Sequence, residues 1–409
     1  MAFYKASVKT NLIDPTLDKS NRRCEFRFGE DQVILSNMRI ANLGITANPG
    51  STYNMGAGAY EVIKSIHLYD GSTLLDQQLE FGKYVAWKNY NKQNSSNKDL
   101  NGFLSGNGLG YEIQGEGTDV AAPKINSSFV SRAYTTLDTT TFKSWLDLKS
   151  CLPMLQSVLY LPTSVFKNLR LVIEFNKAVG TAQNTTAPLL IADEMVDSSV
   201  KNNLLSAFKG VEFVCVEHDS IVVDNVFKAG DAADKEQKTS KLLKGFDNKL
   251  LNRFVVVKES SGTNKSAQLG SLGSQLCFRE KDNVRVNGRT LLVGDGLDTT
   301  AKALSSCSDV YGTCNSYSNS LSVPNDGQGQ SVLAAATAAI LGEQDYRCFR
   351  VAERIEQMEY QFTRQGIFIT DVATSNNEKI NAQLILHFFG EVPKKMSVNS
   401  DGSYIIAYA

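Results

Sequence analysis

Histidine and tryptophan are scarce in this chain, and long apolar runs are missing. The 409 residues include three histidines and two tryptophans. No run of 18 or more apolar residues occurs, so no transmembrane helix is expected. The N-terminal stretch also lacks the apolar core of a signal peptide. With 42% hydrophobic and 21% charged residues, the composition is that of a globular protein of about two domains.

An excess of charge of either sign is lacking too. The 42 basic residues nearly balance the 43 acidic ones, for a net charge of −1. Such a chain has no surplus of positive charge to neutralise phosphates, so nucleic-acid binding, sequence-specific or general, is not expected. The lysines between 228 and 249 alternate with acids, which is typical of a solvated helix face. Residues 1–23 carry a modest positive excess, which suits an arm that contacts an acidic partner or a neighbouring subunit.

The residue patterns of common active sites are absent. No two of His67, His218 and His387 stand at a metal-ligand spacing. Only His218 has acidic neighbours in sequence, and adjacent strand residues point to opposite faces, so a structural role is the better interpretation. The glycine-rich run at 105–111 lacks the spacing of a phosphate loop. No G-x-S-x-G elbow or C-x-x-C pair occurs. The sequence predicts no catalytic, cofactor-binding or metal-ligating residue.

The seven cysteines are scattered along the chain. Most stand in apolar, strand-like runs, as Cys215 does in VEFVCVE. We interpret them as reduced, buried, small hydrophobic residues of a protein that folds in the cytosol or nucleus. Cys307 and Cys314 lie in a polar region, where a local disulfide is the alternative.

The strongest periodicity is two residues, that of a β-strand. In LRLVIEF, the side chains of Leu169, Leu171, Ile173 and Phe175 fall on one face. Similar short runs recur at 24–28, 33–45, 61–69, 211–217, 253–259, 283–293, 358–362, 366–372, 382–389 and 403–409. Turn dipeptides separate several of them: Asp70-Gly71, Asn287-Gly288 and Asp401-Gly402. Many short strands separated by turns predict an all-β sandwich or barrel.

Helical patterns are few. Residues 196–208 place an apolar face behind Asp197 or Ser198 as N-cap. Helices are also predicted at 235–251, with an apolar stripe, and at 331–341, which is alanine-rich. Long polar loops at about 91–130 and 295–330 suggest functional insertions. The best domain boundary falls at about 180–210, where a new run of strands begins.

One stretch near the middle carries a family resemblance. WLDLKSCLPMLQSVLYLPTSVFKNLRLVIEFN (145–176) resembles the end of the first jelly roll in double jelly-roll major capsid proteins of tailless double-stranded DNA viruses. These include virophage, polinton-like and nucleocytoplasmic large DNA virus types. In the resemblance, 145–148 is a strand, 152–155 a helical turn introduced by a Leu-Pro pair, and 169–175 the next strand. VEFVCVEHDSIVVDN (211–225) and the closing hairpin at 382–409 resemble the start and end of the second jelly roll.

The resemblance implies two consecutive eight-stranded jelly-roll sandwiches with long inserted loops and a few short helices. The expected division is an N-terminal arm at 1–23, a first jelly roll at 24–195 and a second at 196–409. Such a chain is expected to form homotrimeric, pseudo-hexagonal capsomers of an icosahedral capsid, without enzymatic activity or cofactors. Expected partners are the chain itself, neighbouring capsomers, minor capsid, cement and penton proteins, and an internal membrane where one exists. The expected location is the virion, after assembly in the host cytoplasm or nucleus.

The competing hypothesis is a β-sandwich that binds or cleaves carbohydrate. Such domains display exposed aromatic platforms, and the candidates here are Trp87, Trp145, Tyr311 and Tyr317. A pair of catalytic carboxylates remains open as well, because acids far apart in sequence can meet in a fold. A monomer that binds or hydrolyses glycan would support this hypothesis, and a shell-forming trimer the other.

The two Leu-Pro pairs have a local interpretation. Proline suits the first turn of a helix and holds the preceding residue extended. We therefore predict a strand, helical turn and strand between 148 and 176, with the leucines and Val158 facing the core. Replacing Leu155 or Leu159 with Asp is accordingly expected to abolish the soluble trimer.

Overall fold

The structure is a computed structural model of the chain. It describes residues 8–19, 23–45, 60, 63–92, 112–114, 124–126, 142–175, 188–224, 236–260, 278–294, 296–297, 300–312, 346–366 and 384–408. The helix predicted at 331–341, Cys314, Tyr317 and most of the two long polar loops lie outside these residues.

The first half contains two antiparallel sheets and a separate pair of short strands. Its strands are β1 Val8–Ile13, β2 Leu17–Lys19, β3 Arg23–Arg27, β4 Val33–Leu35, β5 Arg39–Ile45, β6 Ile63–Asp70, β7 Thr73–Gln78, β8 Glu112–Gln114, β9 Lys124–Asn126, β10 Phe142–Asp147, β11 Tyr160–Pro162, β12 Leu169–Phe175 and β13 Leu189–Met195. One sheet has six strands, ordered β10-β5-β13-β4-β11 with β1 paired to β13; the other has five, ordered β2-β3-β12-β6-β7. Strands β8 and β9 pair separately.

The second half repeats this arrangement. Its strands are β14 Gly210–Val223, β15 Glu236–Leu242, β16 Leu250–Ser260, β17 Phe278–Val286, β18 Arg289–Thr290, β19 Tyr346–Arg354, β20 Met358–Gly366, β21 Leu384–Val398 and β22 Tyr404–Tyr408. Five form a sheet ordered β14-β21-β16-β19 with β22 paired to β21, and four form a sheet ordered β15-β20-β17-β18. Most paired strands are not consecutive in sequence, so crossovers connect the two sheets of each half, as in a sandwich.

Local chemistry explains the strands and turns that the sequence predicted. In β12, Leu169, Leu171 and Ile173 are buried in the core, as their alternation predicts. Between β17 and β18, Asn287 and Gly288 have φ values of 47° and 82°, the left-handed conformations that an Asn-Gly hairpin turn requires. The turn predictions are therefore confirmed at this hairpin.

The described helices are α1 Phe81–Lys92, α2 Pro153–Ser157, α3 Ser198–Ala207 and α4 Thr300–Tyr311, and a 3₁₀ turn covers Leu148–Ser150. The helix predicted at 196–208 is confirmed as α3. Asp197 is its N-cap, because its carboxylate accepts hydrogen bonds from the Ser199 and Val200 amides, both at 3.0 Å.

The helix predicted at 235–251 is wrong. This segment starts with strand β15, which pairs with β20 along its whole length. A turn after the strand then brings Leu243 and Phe246 into the core, and the resulting spacing of apolar residues imitates a helical stripe. The region at 295–330, predicted as a loop, contains α4.

Part of the segment predicted as an N-terminal arm lies in the sheets of the same chain. Strand β1 pairs with β13, and β2 pairs with β3. The division of the chain at residues 24 and 196 stays a prediction.

The segment around Leu152 and Pro153, which we call the Leu-Pro corner, has the predicted backbone conformation. Strand β10 ends at Asp147, and Pro153 begins α2 after Leu152, which is extended with φ −113° and ψ 105°. Leu152, Leu155 and Val158 are buried in the core as predicted. Leu159 contradicts the prediction, because 61% of it is exposed. Its position follows from Val158, which leaves the helix in an extended conformation and turns the next side chain outward.

One hydrophobic cluster runs through both halves. Its members include Phe26, Leu155 and Leu171 in the first half and Phe254 and Phe388 in the second. None of the described helices is long and apolar enough to cross a membrane.

Candidate functional site

The three histidines differ in their positions and contacts. His67 lies on the five-stranded sheet beside Ser65, 2.9 Å from its hydroxyl, and burial lowers its pKa. His218 and His387 come together, with His218 Nε2 at 3.1 Å from His387 Nδ1. The sequence offered no sign of this contact, because the two residues lie 169 positions apart and only the register of β14 with β21 aligns them.

The described cysteines are buried thiols. Cys24, Cys151, Cys215, Cys307 and Cys348 are all buried. Burial raises the pKa of Cys151 to about 12 and also raises that of Cys215, so neither is a thiolate near neutral pH. Within the described part of the chain, no group of three or more His, Cys, Asp and Glu side chains could hold a metal ion.

The two halves meet at a junction, where α2 and β7 of the first half pack on β14 of the second and side chains of β21 and β22 bond to the first half. Asp76 is its buried polar centre. Its carboxylate accepts hydrogen bonds from the Met154 amide at 2.8 Å and the Gln77 amide at 2.9 Å. Burial raises the pKa of Asp76 to about 7, although these amides and Lys394 oppose the shift.

Lysine and tyrosine side chains of the second half reach into the first at the junction. Lys394 Nζ donates to the Leu75 carbonyl at 3.4 Å and lies over the Phe213 and Tyr408 rings. Tyr404 Oη donates to Asp70 Oδ2 at 2.8 Å.

Aromatic rings fill the space beside these bonds. Phe166 contacts Tyr404 with ring centroids 5.4 Å apart and Phe208 at 5.9 Å. Tyr160 packs on Phe208, and its hydroxyl donates to the Leu204 carbonyl at 2.8 Å. The junction is thus a packed interior.

A second connection joins the halves on the outside of the β14-β21-β16-β19 sheet. Helices α1, from the first half, and α4, from the second, lie there together, and we call this pair the helical clasp. Trp87 of α1 meets Tyr311 of α4 edge to face, with centroids 4.8 Å apart, and Tyr84 packs on Phe389 of the sheet. Helix α1 contacts β16 and α4 contacts β19, and Val255 and Cys348 on these two strands are fully buried.

Arg253 ties the helical clasp to the sheet. Its guanidinium donates to Glu391 at 2.7 Å and to the Val310 carbonyl at 2.6 Å, and it lies 4.4 Å from the centroid of the Tyr311 ring. Hydrogen bonds to charged groups and cation–π contacts are among the stronger polar interactions in proteins.

A buried ionic cluster joins the two sheets of the second sandwich. Asp282 accepts from Lys258 Nζ and Arg347 Nε, each at 2.9 Å, and from Tyr360 Oη at 2.5 Å. All four residues are buried. Because each carboxylate oxygen has a donor, the cluster satisfies a buried charge and serves packing.

The aromatic residues considered for glycan binding do not form a platform in the described residues. Trp87 and Tyr311 pack against each other in the helical clasp. Trp145 is 38% exposed on the six-stranded sheet, where Arg39 covers its ring at 5.9 Å. A planar, accessible ring of the kind that stacks on a sugar is therefore not found among these three.

No family model and no curated protein matches the sequence. Solved structures do share its fold. The mavirus major capsid protein matches with 10% identity and a TM-score of 0.57, covering 100% of this chain and 91% of that one. The PBCV-1 virus capsid chain matches with 9% identity and a TM-score of 0.54, covering 100% and 99%. The Faustovirus major capsid protein matches with 6% identity and a TM-score of 0.50, covering 96% and 90%. The predicted fold of two consecutive jelly rolls is confirmed.

Proposed function

We propose that this chain is the major capsid protein of an icosahedral virus and that it assembles as homotrimers into pseudo-hexagonal capsomers. The observation that carries the proposal is the tandem arrangement of two similar sandwiches, which matches chains from viral capsids along nearly the full length of both. Three such chains would supply six similar sandwiches, and cyclic closure would make the outline of the trimer pseudo-hexagonal.

The connections between the halves support this role. A tile in a near-hexagonal lattice needs a fixed angle between its two sandwiches, since each capsomer must meet its neighbours in the same way. The junction provides this with a shared apolar core and the buried Asp76. The helical clasp adds a second attachment on the outside of the sheet.

The role is structural, without catalysis or a cofactor. The arrangement of the described side chains supports it, since the cysteines are buried and the ionic cluster at Asp282 is saturated with donors. The partners would be other copies, neighbouring capsomers, minor capsid, cement and penton proteins, and an internal membrane where one exists. Capsids would assemble in the host cytoplasm or nucleus, and the location of the mature protein would be the virion.

The N-terminal segment and the long loops would make the contacts between capsomers. We assign residues 24–195 and 196–409 to the two jelly rolls and the first 23 residues to an arm at the inner base. Strand β1 joins the first sandwich, so only the beginning of this arm would be available for neighbours.

The test is the mass and shape of the purified full-length chain. Analytical ultracentrifugation over a range of concentrations is expected to show a species of three times 44.8 kDa. Negative-stain images of that species are expected to show a pseudo-hexagonal outline. A strictly monomeric chain would contradict the proposal, and so would a monomer that binds or hydrolyses glycans on an array.

A further inference from the structure

Two imidazole rings touch where the helical clasp begins. His218 on β14 and His387 on β21 stack with centroids 5.4 Å apart and an interplanar angle of 27°, and two of their ring nitrogens are 3.1 Å apart. Phe389 packs against both rings, at 5.0 and 6.5 Å. Both histidines occupy the outer face of the sheet, the face on which α1 lies.

Glu80, which precedes α1, and Lys83 in its first turn are charged groups that act on His218. The Glu80 carbonyl accepts from the Lys83 and Tyr84 amides, and the Glu80 carboxylate pairs with Lys83 Nζ at 2.8 Å. Glu80 raises the pKa of His218, and Lys83 lowers it. The carboxylates adjacent in sequence point to the opposite face of the sheet, where Glu217 pairs with Lys249 and Asp219 accepts from the Gly245 amide.

The hydrogen bond between His218 and His387 forms only when at most one of the two rings is cationic. A separation of 3.1 Å lets one nitrogen donate to the other when at least one of the two facing nitrogens is unprotonated. When both rings are cationic, each nitrogen carries a hydrogen and the rings repel. Among the described residues, the carboxylate that raises the pKa of His218 is that of Glu80, and its pairing with Lys83 at 2.8 Å balances part of its charge.

We propose that the His218–His387 contact is an acid-sensitive latch for the helical clasp. At neutral pH the uncharged pair supports the first turn of α1, and on acidification the protonated pair releases α1 while both sandwiches remain folded. The inference concerns the single chain and does not rest on the proposed capsid role.

The direction in which pH changes the closure of α1 follows from the linkage between protonation and release. Burial, and then His387, lowers the pKa of His218 to about 4 from its usual 6.5, against the pull of Glu80. In the released state the ring regains its usual pKa, so the released state binds protons more tightly. Closure is therefore favoured above about pH 6.5 and is lost progressively as the pH falls toward 4.

The two tryptophans make a direct assay feasible. Trp87 lies in the helical clasp and is 1% exposed, whereas Trp145 is 38% exposed. In a Trp145→Phe background, Trp87 is the sole tryptophan and its emission reports on the packing of α1. We expect a red shift between about pH 6.5 and 4, with little change in far-UV circular dichroism. A parent protein whose emission stays constant over this range would overturn the proposal.

Substitutions then identify the residues responsible. His218→Gln and His387→Gln keep a polar side chain but remove the titration, so each is expected to move the transition down by about one pH unit or more. The matched control is His67→Gln, which changes the third histidine, on the first sandwich, and should leave the transition unchanged. A transition that is the same in the parent and in both test variants would refute the latch.

Hydrogen exchange of the unmutated chain provides a second measurement should a variant fail to fold. Peptides from α1 and β12 are compared at pH 7 and at about pH 5 after correction for the intrinsic rate. We expect protection in α1 to fall about tenfold while β12 is unchanged. An equal loss in both would mean global unfolding and would contradict release of the helical clasp.

Discussion

Leu155 and Leu159 provide a direct test of the packing at the corner between the halves. Both are leucines, four positions apart, but Leu155 is fully buried whereas 61% of Leu159 is exposed. Truncating each to alanine removes the same atoms from two different environments. The pair therefore separates the effect of burial from that of composition.

The expected magnitudes differ widely. Leu155 lies in α2, which packs on β7 and β14, so Leu155→Ala leaves a cavity in the junction and should cost about 3 kcal/mol. This corresponds to a change of roughly two orders of magnitude in the folding equilibrium. Leu159→Ala removes surface that is mostly in water already and should cost less than about 0.5 kcal/mol.

Urea denaturation followed by circular dichroism measures both variants against the parent. The midpoint for Leu155→Ala should fall clearly, and that for Leu159→Ala should match the parent. Equal losses, or a loss confined to Leu159→Ala, would show that the description of the corner is wrong. A folded Leu159→Ala protein with reduced trimer formation would instead place this side chain at a contact between copies.

Three further changes test the junction and the packing of the second sandwich. Asp76→Asn should become more stable than the parent as the pH rises from about 4 to 7.5, by up to roughly 4 kcal/mol. The buried Asp76 carboxyl of the parent, whose pKa is about 7, must lose its proton over this range, whereas the Asn side chain does not ionise. Melting curves at several pH values measure the difference. Gly390→Ala should destabilise by about 1–3 kcal/mol in urea titrations, since a Cβ there would stand 2.5 Å from Phe246. Tyr404→Phe removes the bond to Asp70 and should cost about 1 kcal/mol by the same assay, with an unchanged value arguing that water replaces the bond.

Features that depend on neighbouring residues were predictable from sequence. The alternation in Leu169–Phe175 identified a strand and its buried face, and Asp197 identified the start of α3. Proline at 153 identified the start of α2. Each of these depends on a preference that operates within a few residues.

Features that depend on tertiary contacts could not be predicted from the sequence. Strand β15 has no apolar face, because it lies at an edge of its sheet and the buried apolar residues of that sheet are on β17 and β20. Helix α1 was missed because two environments cover it: Phe81 and Val85 enter the main core, whereas Trp87 enters the helical clasp. Its apolar residues consequently do not form one stripe.

The imidazole pair illustrates the same limit for the candidate site. The acidic neighbours of His218 in sequence point to the opposite face of the sheet, and His387 has no charged neighbour in sequence, so neither strand predicts the contact. Their contact arises from the register that pairs His218 with Phe389 and Ser220 with His387. Such a register follows from the whole sheet and cannot be read from either strand.

The origin of α1 in the first half has a consequence for synthesis on the ribosome. Trp87 is covered by α4 and the sheet that contains β21, and β21 ends at Val398, 306 residues after α1 ends at Lys92. At about 5–20 residues per second, that sequence takes roughly 15–60 s to emerge. During this interval Trp87 lacks Tyr311, and Tyr84 lacks Phe389, so this face of α1 completes its packing only after the second half has been synthesised.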